Sequence, residues 1–466
     1  MKHHWLVVLV ILSVVLGSGS CTGVTEPTST PAPATPEAPA PTSDTTPPPP
    51  IAGLIAIDAY DGKINLWWDS STAGDFDHYN VYVGESEITD VATISFTRQI
   101  GDISTSNHQL TGLKDGTDYY FAVTAVDKSG NEDKRVVSAR AKPTSMARGT
   151  ADPDIQVDVY QSDMVWPGTT LLPDNHNPEK PRIIEVNMLG EIVWEYLVPQ
   201  NLKQYTNPGF DVELLSNDNI LFVLPRSGVY EIDRKGKIVW SYLTNKISHD
   251  ADRLSNGNTI FAFGALDQKS DAQVTEVNQK GEIVWTWYTK DHFDRLPFSN
   301  IYNEGWTHTS AVTRLPNGNT LISLRNFNFV VEVDPQGLVV GTIGEGVFET
   351  PHDPEVLSNG NILVANQGRP PAGRHQAVEV DPETGKIVWQ SAGFERWALP
   401  VRDANRLPNG NTLITGSTKI GEVTPDGDTV WQLTLKDIKF DVSTEEGRKD
   451  ASGLGFYKAE RIDAER

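Results

Sequence analysis

Short apolar segments separated by polar turns follow one another along most of the chain. Beyond Ser145, one five-residue segment recurs that begins with Gly and usually ends with Trp, as in GEIVW, GKIVW and GDTVW. Its six copies end at Trp194, Trp240, Trp285, Gly341 (in the degenerate form GLVVG), Trp389 and Trp431. The copies are about 40 to 60 residues apart, which is typical of a β-propeller. The pattern therefore predicts an all-β fold with a six-bladed β-propeller over residues 155–466.

Each repeat has the same internal order, which is clearest in RLPNGNTLI at Arg314–Ile322 and again at Arg406–Ile414. An Asn-Gly pair between two apolar segments predicts a tight hairpin in which both central residues adopt positive φ. In a four-stranded meander, the Asn-Gly turn and the later Gly turn share one face. The crossings between blades and the connections from second to third strand share the other face, where we expect a functional site.

The two ends of the repeat region are predicted to close the ring. The C-terminal segment FYKAERI, at Phe456–Ile462, aligns with VRDANRL, at Val401–Leu407. The first repeat begins with PGTTLL, which matches the second strand of the later repeats. We therefore expect the C-terminal segment to supply the innermost strand of that blade, because an open ring would expose strand edges.

Residues 51–145 show a different pattern of short strands, as in KINLWWDSS, HYNVYVGES and DYYFAVTAVD, which predicts a small β-sandwich. The segment resembles a fibronectin type III domain, because Trp68 lies where that family has its core tryptophan. Leu113 and Tyr119 also have the spacing of its tyrosine corner. The resemblance implies a spacer or an adhesion module that contacts a surface or a glycan. We expect the isolated His78 and His108 to be solvated.

The first 21 residues combine a short cationic start, an apolar segment and small residues before a cysteine, which predicts an export signal. Cys21 is the single cysteine of the sequence. Its position resembles the lipid-anchor site of a bacterial lipoprotein, with an ordinary signal peptide as the alternative. Residues 22–50 are rich in Pro and Thr and predict a disordered linker. The protein is therefore expected to be exported to the cell surface or periplasm and anchored to the membrane through Cys21.

The charge balance excludes one class of partner. The chain of 466 residues has 39 Lys and Arg against 62 Asp and Glu, a formal net charge of -23. Such a surface repels phosphate backbones, so nucleic-acid binding is not expected.

Candidate functional residues stand at a fixed distance before the Asn-Gly turns. The residues seven positions upstream of the first Asn are Phe210, His249, His352 and Arg402. Three more residues are expected on the same face. His308 and Tyr457 lie near the same position of their own repeats, and Arg325 lies on a connection from a second to a third strand. Because these positions lie on the predicted functional face, we expect their side chains to converge on the axis of the ring. The alternative is that they bond neighbouring backbone.

The crossing between Trp285 and His308 is about a dozen residues longer than its counterparts and is rich in Trp, Tyr and Phe. Long loops at a mouth often bind ligands. Aromatic side chains beside imidazole and guanidinium groups suit a flat ring with a negative substituent. The alternative is a loop that packs on its neighbour. The repeated Trp residues are expected to pack between blades.

Residues 165–462 resemble the bacterial arylsulfotransferases that need no nucleotide sulfate donor. The matching segments are HDADRLSNGN from His249, WTHTSAVTRLPNGNTLISLRN from Trp306, and PHDPEVLSNGNILVANQG from Pro351. The resemblance implies a six-bladed propeller that moves a sulfuryl group from an aryl sulfate to a phenol through a sulfated histidine. It implies no cofactor and no metal.

The same resemblance implies that His352 is the nucleophile, with His249, His308 and Arg325 around the sulfuryl group. The residues expected to bind the substrate are Arg402, Tyr457, Phe210, Trp306 and Asn366. A neutral imidazole is a nucleophile near neutral pH, and fixed cations stabilise the negative sulfuryl oxygens. We expect His249 or His308 to donate a proton to the departing phenolate and Asp353 to orient the neighbouring imidazole.

Two other functions are compatible with these residues. One is a non-catalytic cell-surface propeller that binds a sulfated or phenolic compound or a glycan. The other is a metal site, since three imidazoles on one axis can hold zinc or copper.

The chain departs from the resemblance in its N-terminal domain, because members of that family have a different sandwich and often a disulfide.

Overall fold

The computed structural model describes residues 44–207, 209–300, 304–368, 375–395, 399–436 and 453–464. The predicted export signal, Cys21 and residues 22–43 of the predicted linker lie outside this part of the chain. Residues from Thr46 onward form one unit, which contains every strand and helix given below. None of the helices in the described ranges is long and apolar enough to span a membrane.

The first domain consists of seven strands. They are β1 (Ile55–Asp58), β2 (Ile64–Trp67), β3 (Phe76–Gly84), β4 (Arg98–Ile100), β5 (Asn107–Leu110), β6 (Tyr119–Asp127) and β7 (Ala139–Ala141). They form two sheets, in the orders β1-β2-β5 and β4-β3-β6-β7. The predicted sandwich is thus confirmed.

The core of this sandwich has the two aromatic features expected from the sequence. Trp68 is buried edge-on to Tyr79, with ring centroids 5.5 Å apart. The hydroxyl of Tyr119 accepts a hydrogen bond of 3.2 Å from the backbone N–H of Lys114, the type of bond that defines a tyrosine corner. His78 and His108 are partly buried rather than fully solvated, and the ring of His78 is held by Asp77.

Between residues 150 and 463 the described chain forms six further sheets. The strands of the first three sheets are β8 (Thr150–Ala151), β10 (Gly168–Asp174), β11 (Arg182–Val186) and β12 (Glu191–Leu197); β13 (Val212–Leu214), β14 (Ile220–Leu224), β15 (Gly228–Ile232) and β16 (Ile238–Leu243); β17 (Ala251–Arg253), β18 (Thr259–Ala262), β19 (Val274–Val277) and β20 (Ile283–Trp287). The short helices within the described ranges include two 3-10 turns (Lys203–Tyr205 and Arg325–Phe327) and α1 (Lys290–Phe293).

The strands of the remaining three sheets are β21 (Thr309–Arg314), β22 (Thr320–Leu324), β23 (Phe329–Val333) and β24 (Val339–Ile343); β25 (Pro351–Val356), β26 (Ile362–Asn366), β27 (Gln376–Asp381) and β28 (Lys386–Gln390); β29 (Val401–Arg406), β30 (Thr412–Gly416), β31 (Lys419–Val423), β32 (Thr429–Leu435) and β9 (Ile155–Tyr160). Four consecutive strands pair antiparallel within each sheet from the second to the sixth. The number of blades in the whole chain stays a prediction, because residues 437–452 lie outside the description.

The C-terminal strand β33 (Glu460–Asp463) closes the first sheet, as predicted. It pairs antiparallel with β10, with Arg461 opposite Thr170. The guanidinium of Arg461 lies 3.4 Å from the carboxylate of Glu422 in the sixth sheet and donates to the carbonyl of Trp166. On the outer side, β9 adds a strand to the sixth sheet by pairing with β32. Segments from both ends of the repeat region therefore hold the last sheet to the first.

The Asn-Gly turns differ from the prediction in their backbone. Gly318 has φ of 89°, whereas Asn317 is not among the residues with positive φ. Asn317 Oδ1 accepts the N–H of Asn319 at 2.9 Å, and the N–H of Leu315 bonds to the carbonyl of Asn319 at 2.8 Å. The prediction of two positive φ values is wrong, because this longer loop places only the glycine in the left-handed region.

The arginine of the repeat joins neighbouring sheets. Arg314 lies 2.9 Å from Glu276 of the preceding sheet, and its guanidinium lies 5.3 Å from the ring centroid of Trp285. The same Arg, Glu and Trp arrangement recurs at Arg253, Glu231 and Trp240, and at Arg406, Glu379 and Trp389. The tryptophans of these repeats therefore pack between sheets, as predicted from the sequence.

Candidate functional site

A cavity of about 430 Å³ lies where the inner strands begin. Its lining includes six of the side chains predicted from the sequence: His249, His308, Arg325, His352, Arg402 and Tyr457. It also includes Arg226, Leu266, Glu304, Gln367 and Pro400, which the sequence did not single out. Imidazole and guanidinium groups from distant parts of the chain thus meet at one opening.

Three other predicted substrate-binding residues do not line this cavity. Phe210 is fully buried in an apolar cluster between the first and second sheets. Trp306 is also fully buried, and its ring N–H donates to the carbonyl of Phe298 at 2.6 Å. Asn366 Oδ1 accepts the backbone N–H of Glu349 at 2.7 Å. The side chain after it in the sequence, Gln367, is the one that lines the cavity.

Two aromatic rings of the long crossing, those of Phe293 and Phe298, pack on the fourth sheet, and none of the crossing's described aromatic side chains lines the cavity. Phe298 lies with its ring centroid 4.7 Å from that of Phe327, and Phe293 lies 5.5 Å from Phe329. This is the packing that the sequence allowed as the alternative. The crossing contributes Glu304 and His308 to the cavity instead.

The rings in the cavity lie close together around His249. Its ring centroid is 5.5 Å from that of His308, 6.4 Å from that of His352 and 5.4 Å from that of Tyr457. The guanidinium carbon of Arg402 lies 4.7 Å from the centroid of the Tyr457 ring. The cavity therefore combines three imidazoles, a phenol ring and a cation within contact range of one small ligand.

β-Bulges help to position these residues. The pairing of β25 with β26 shifts register between His352 and Glu355, and the pairing of β29 with β30 shifts between Val401 and Asp403. A bulge adds a residue to one strand and redirects its side chains. As a result, both His352 and the following Asp353 lie along the central channel.

His308 is held by a buried carboxylate that the sequence analysis missed. Its backbone has φ of 47°, which is strained for a residue with a side chain. The carboxylate of Asp267 accepts the N–H groups of Trp306 at 2.7 Å and Thr307 at 3.1 Å, and Gln273 donates to it at 2.9 Å. These bonds hold the segment that carries His308. No pattern around Asp267 distinguishes it from the many turn-forming aspartates.

The imidazoles are held in the neutral form. Burial, followed by the charge of Arg325, places the pKa of His352 well below its ordinary value. Burial and the neighbouring His308 have the same effect on the pKa of His249. Burial and Arg325 lower the pKa of His308 to about 3. Neutral imidazoles can act as nucleophiles or bases near pH 7.

The tautomer of neutral His308 follows from its hydrogen bond. Its Nδ1 lies 2.9 Å from the backbone carbonyl oxygen of Glu304, which can only accept. Nδ1 therefore carries the proton, and the lone pair is on Nε2. The Nε2 of His352 and the Nδ1 of His249 are buried and have no hydrogen-bond partner within the described residues.

A layer of aspartates lies directly below the histidines. Lys458 Nζ is 3.3 Å from Asp211, 3.8 Å from Asp250 and 3.5 Å from Asp353. These carboxylates immediately follow Phe210, His249 and His352 in the sequence. That repeated position was the available signal for this layer. Asp353, which was expected to orient His352, lies against Lys458.

The described geometry does not match the predicted zinc or copper alternative. The ring nitrogens of His249, His308 and His352 do not all lie within 4.8 Å of one another. Ligands of one transition metal lie about 2 Å from it and therefore close to one another.

Comparisons with known proteins identify two regions. Residues 156–347 match the family described as Arylsulfotransferase (ASST), and residues 47–139 match the Fibronectin type III domain. No curated protein matches the sequence.

Several solved structures are similar to parts of the chain. A protein of unknown function from Bacteroides caccae is 22% identical, with a TM-score of 0.43 over 59% of this chain and 96% of that one. Virginiamycin B lyase from Staphylococcus aureus is 14% identical, with a TM-score of 0.37 over 59% of this chain and 87% of that one. An Fn3-like protein from Clostridium thermocellum is 24% identical, with a TM-score of 0.17 over 22% of this chain and 98% of that one.

The arylsulfotransferase match covers the first four of the six repeats, and the fibronectin type III match covers Trp68, Leu113 and Tyr119. Residues 156–347 thus match the arylsulfotransferase family model, and a region that matches the fibronectin type III domain precedes them.

Proposed function

We propose that this protein transfers a sulfuryl group from an aryl sulfate to a phenol through a sulfated His352. The observation that carries the proposal is the meeting of three neutral imidazoles with Arg325 and Arg402 at one cavity. The family match over residues 156–347 supports the same class of reaction.

In the first half-reaction, an imidazole nitrogen of His352 attacks the sulfur atom. The new N–S bond forms while the S–O bond to the aryl group breaks, and the electron pair leaves on the phenolate oxygen. The transition state is expected to be loose, with charge on the sulfuryl oxygens and on the departing oxygen. Arg325 and Arg402 stabilise that charge from fixed positions.

In the second half-reaction, the oxygen of the acceptor phenol attacks the same sulfur and the N–S bond returns its electron pair to His352. The phenolic proton must go to a base. His308 suits this role because its Nδ1–H is bonded to Glu304 and its Nε2 has the free lone pair. In this tautomer Nε2 has no proton to give to the first phenolate, so His308 is assigned to accepting the acceptor's proton.

The test is turnover of 4-nitrophenyl sulfate by the purified full chain in the presence of a second phenol. We expect release of 4-nitrophenolate, formation of the acceptor sulfate, and a mass increase of one sulfuryl group on the peptide that contains His352 when the acceptor is omitted. His352→Ala should lower kcat by about a thousandfold or more. His78→Ala, in the fibronectin domain, is the matched control.

Ligand binding without turnover, across a range of donors and acceptors, would contradict the transferase and support the non-catalytic binding propeller.

We also propose that the protein is exported and anchored through Cys21, on the basis of the sequence alone. Loss of the protein from the membrane fraction in Cys21→Ser would support the anchor, and unchanged fractionation would contradict it.

A further inference from the structure

Arg325 already has an anionic partner in the cavity. Its Nη1 donates to the Glu304 carboxylate at 2.8 Å. The side chain of Arg325 is 19% exposed and that of Glu304 is 62% exposed. Glu304 is the one carboxylate among the described lining residues, which also include Arg226 and Arg402. Its charge therefore opposes a lining that is otherwise cationic.

The backbone of Glu304 is fixed, whereas its side chain faces solvent. The carbonyl oxygen of Glu304 accepts bonds from His308 Nδ1 at 2.9 Å and from the backbone N–H of Leu266 at 3.2 Å. Within the described residues, the Glu304 carboxylate bonds to the guanidinium of Arg325. An exposed ion pair of this kind is weak. The carboxylate can therefore leave the guanidinium without moving His308.

We propose that Glu304 occupies the anion position on Arg325 in the free protein and determines specificity for ligands with one negative charge. A bound sulfate ester displaces the carboxylate from Arg325, and the carboxylate stays nearby. A second negative charge on the ligand is then repelled. The ligand class follows from this: aryl sulfate monoesters, which are monoanions, are favoured over aryl phosphate monoesters, which carry a charge of about -1.5 to -2 at neutral pH.

This inference rests on the proposed function only in taking a sulfate ester as the ligand. Its test measures binding and requires no turnover. Isothermal titration of the full chain would use 4-nitrophenyl sulfate, 4-nitrophenyl phosphate and the monoanionic diester 4-nitrophenyl methyl phosphate. The diester separates the effect of charge from that of phosphorus.

Replacing Glu304 with Gln should strengthen binding of the phosphate monoester about tenfold, and binding of the sulfate and the diester about threefold or less. Glu345→Gln removes an exposed glutamate that does not line the cavity. This control should change none of the three affinities. Glu304→Asp keeps the charge and should retain the preference for monoanions.

Equal changes for all three ligands, or no change, would overturn the role of Glu304. That result is distinguishable from failure of the proposed function, because a protein without transferase activity can still show the charge preference. Conversely, the protein could be an active transferase whose Glu304→Gln variant binds all three ligands as the wild type does. The proposed function would then hold, and the role of Glu304 would be wrong.

Discussion

Two cations occupy adjacent levels of the same channel, the buried Arg402 and the largely buried Lys458, and their surroundings are opposite. Arg402 lies among imidazoles and the ring of Tyr457, and burial lowers its pKa to about 10. Lys458 lies below it among aspartates. Burial opposes the charge of Lys458 as well, but Asp211 and Asp353 more than offset this effect and raise its pKa. The surroundings therefore disfavour the charged form of Arg402 at the upper level and favour the charged form of Lys458 at the lower level.

This difference between the two levels indicates that they have different roles. The carboxylates of the lower level bond the backbone of neighbouring inner strands: Asp250 accepts the N–H of Val312 at 2.6 Å, and Asp403 accepts that of Ala459 at 3.1 Å. The space between the two levels is only about 10 Å³. We infer that the lower level holds the strands together, whereas the upper level faces the ligand.

The largest expected effect is the loss of the lower cation. Lys458→Met leaves several carboxylates buried without their counter-ion, so we expect the free energy of unfolding to fall by about 3–5 kcal/mol. Urea denaturation of the full chain measures this. Lys458→Arg should retain most of the stability, and Lys235→Met, at an exposed turn, should change it by less than about 0.5 kcal/mol. If Lys458→Met were as stable as the Lys235→Met control, the lower level would not stabilise the fold, and the proposed difference between the two levels would be wrong.

A smaller effect, and of a different kind, is expected at the upper level. Arg402→Gln keeps a polar side chain beside Tyr457 and leaves the carboxylates of the lower level with their counter-ion, so the free energy of unfolding should fall by only about 1 kcal/mol. Transfer from 4-nitrophenyl sulfate should nevertheless fall about a hundredfold in kcat/KM, because the sulfuryl oxygens lose a fixed cation. A loss of stability as large as that of Lys458→Met would show that both levels are structural.

The smallest effect concerns the pH dependence of stability. Burial, with the neighbouring Asp252, raises the pKa of Glu213 to about 8. The folded protein then binds this proton more tightly than the unfolded chain does, so stability is highest below the unfolded pKa and is lost as pH rises through about 8. We expect Glu213→Gln to reduce the fall in unfolding free energy between about pH 5 and pH 8 by about 1 kcal/mol. An unchanged pH profile in thermal unfolding would contradict this.

The repeats in the sequence were sufficient to predict much of the architecture. A strand that ends in Trp must bury that ring against a neighbour, and the alignment of Phe456–Ile462 with an inner strand led to the pairing of β33 with β10. The fixed spacing before the turns also identified three of the cavity residues, His249, His352 and Arg402, because residues at equivalent positions of a repeat take equivalent places around an axis.

Equivalent position did not predict every side chain. Phe210 shares the spacing of His249 but is apolar, so it packs between two sheets. Trp306 and Asn366 lie next to cavity residues in the sequence, yet their own side chains bond elsewhere. The direction in which a single side chain points depends on β-bulges and local hydrogen bonds, which a periodic sequence pattern does not encode.

By itself, the sequence determined the β class, the order of strands, the closing segment and the set of imidazole and guanidinium groups on one face, because these follow from periodicity and repetition. Tertiary structure alone decided the protonation of those groups, the placement of Lys458 among the aspartates, and the pairing of Arg325 with Glu304. The reason is that pKa values and ion pairs depend on burial and on distances between side chains far apart in the chain.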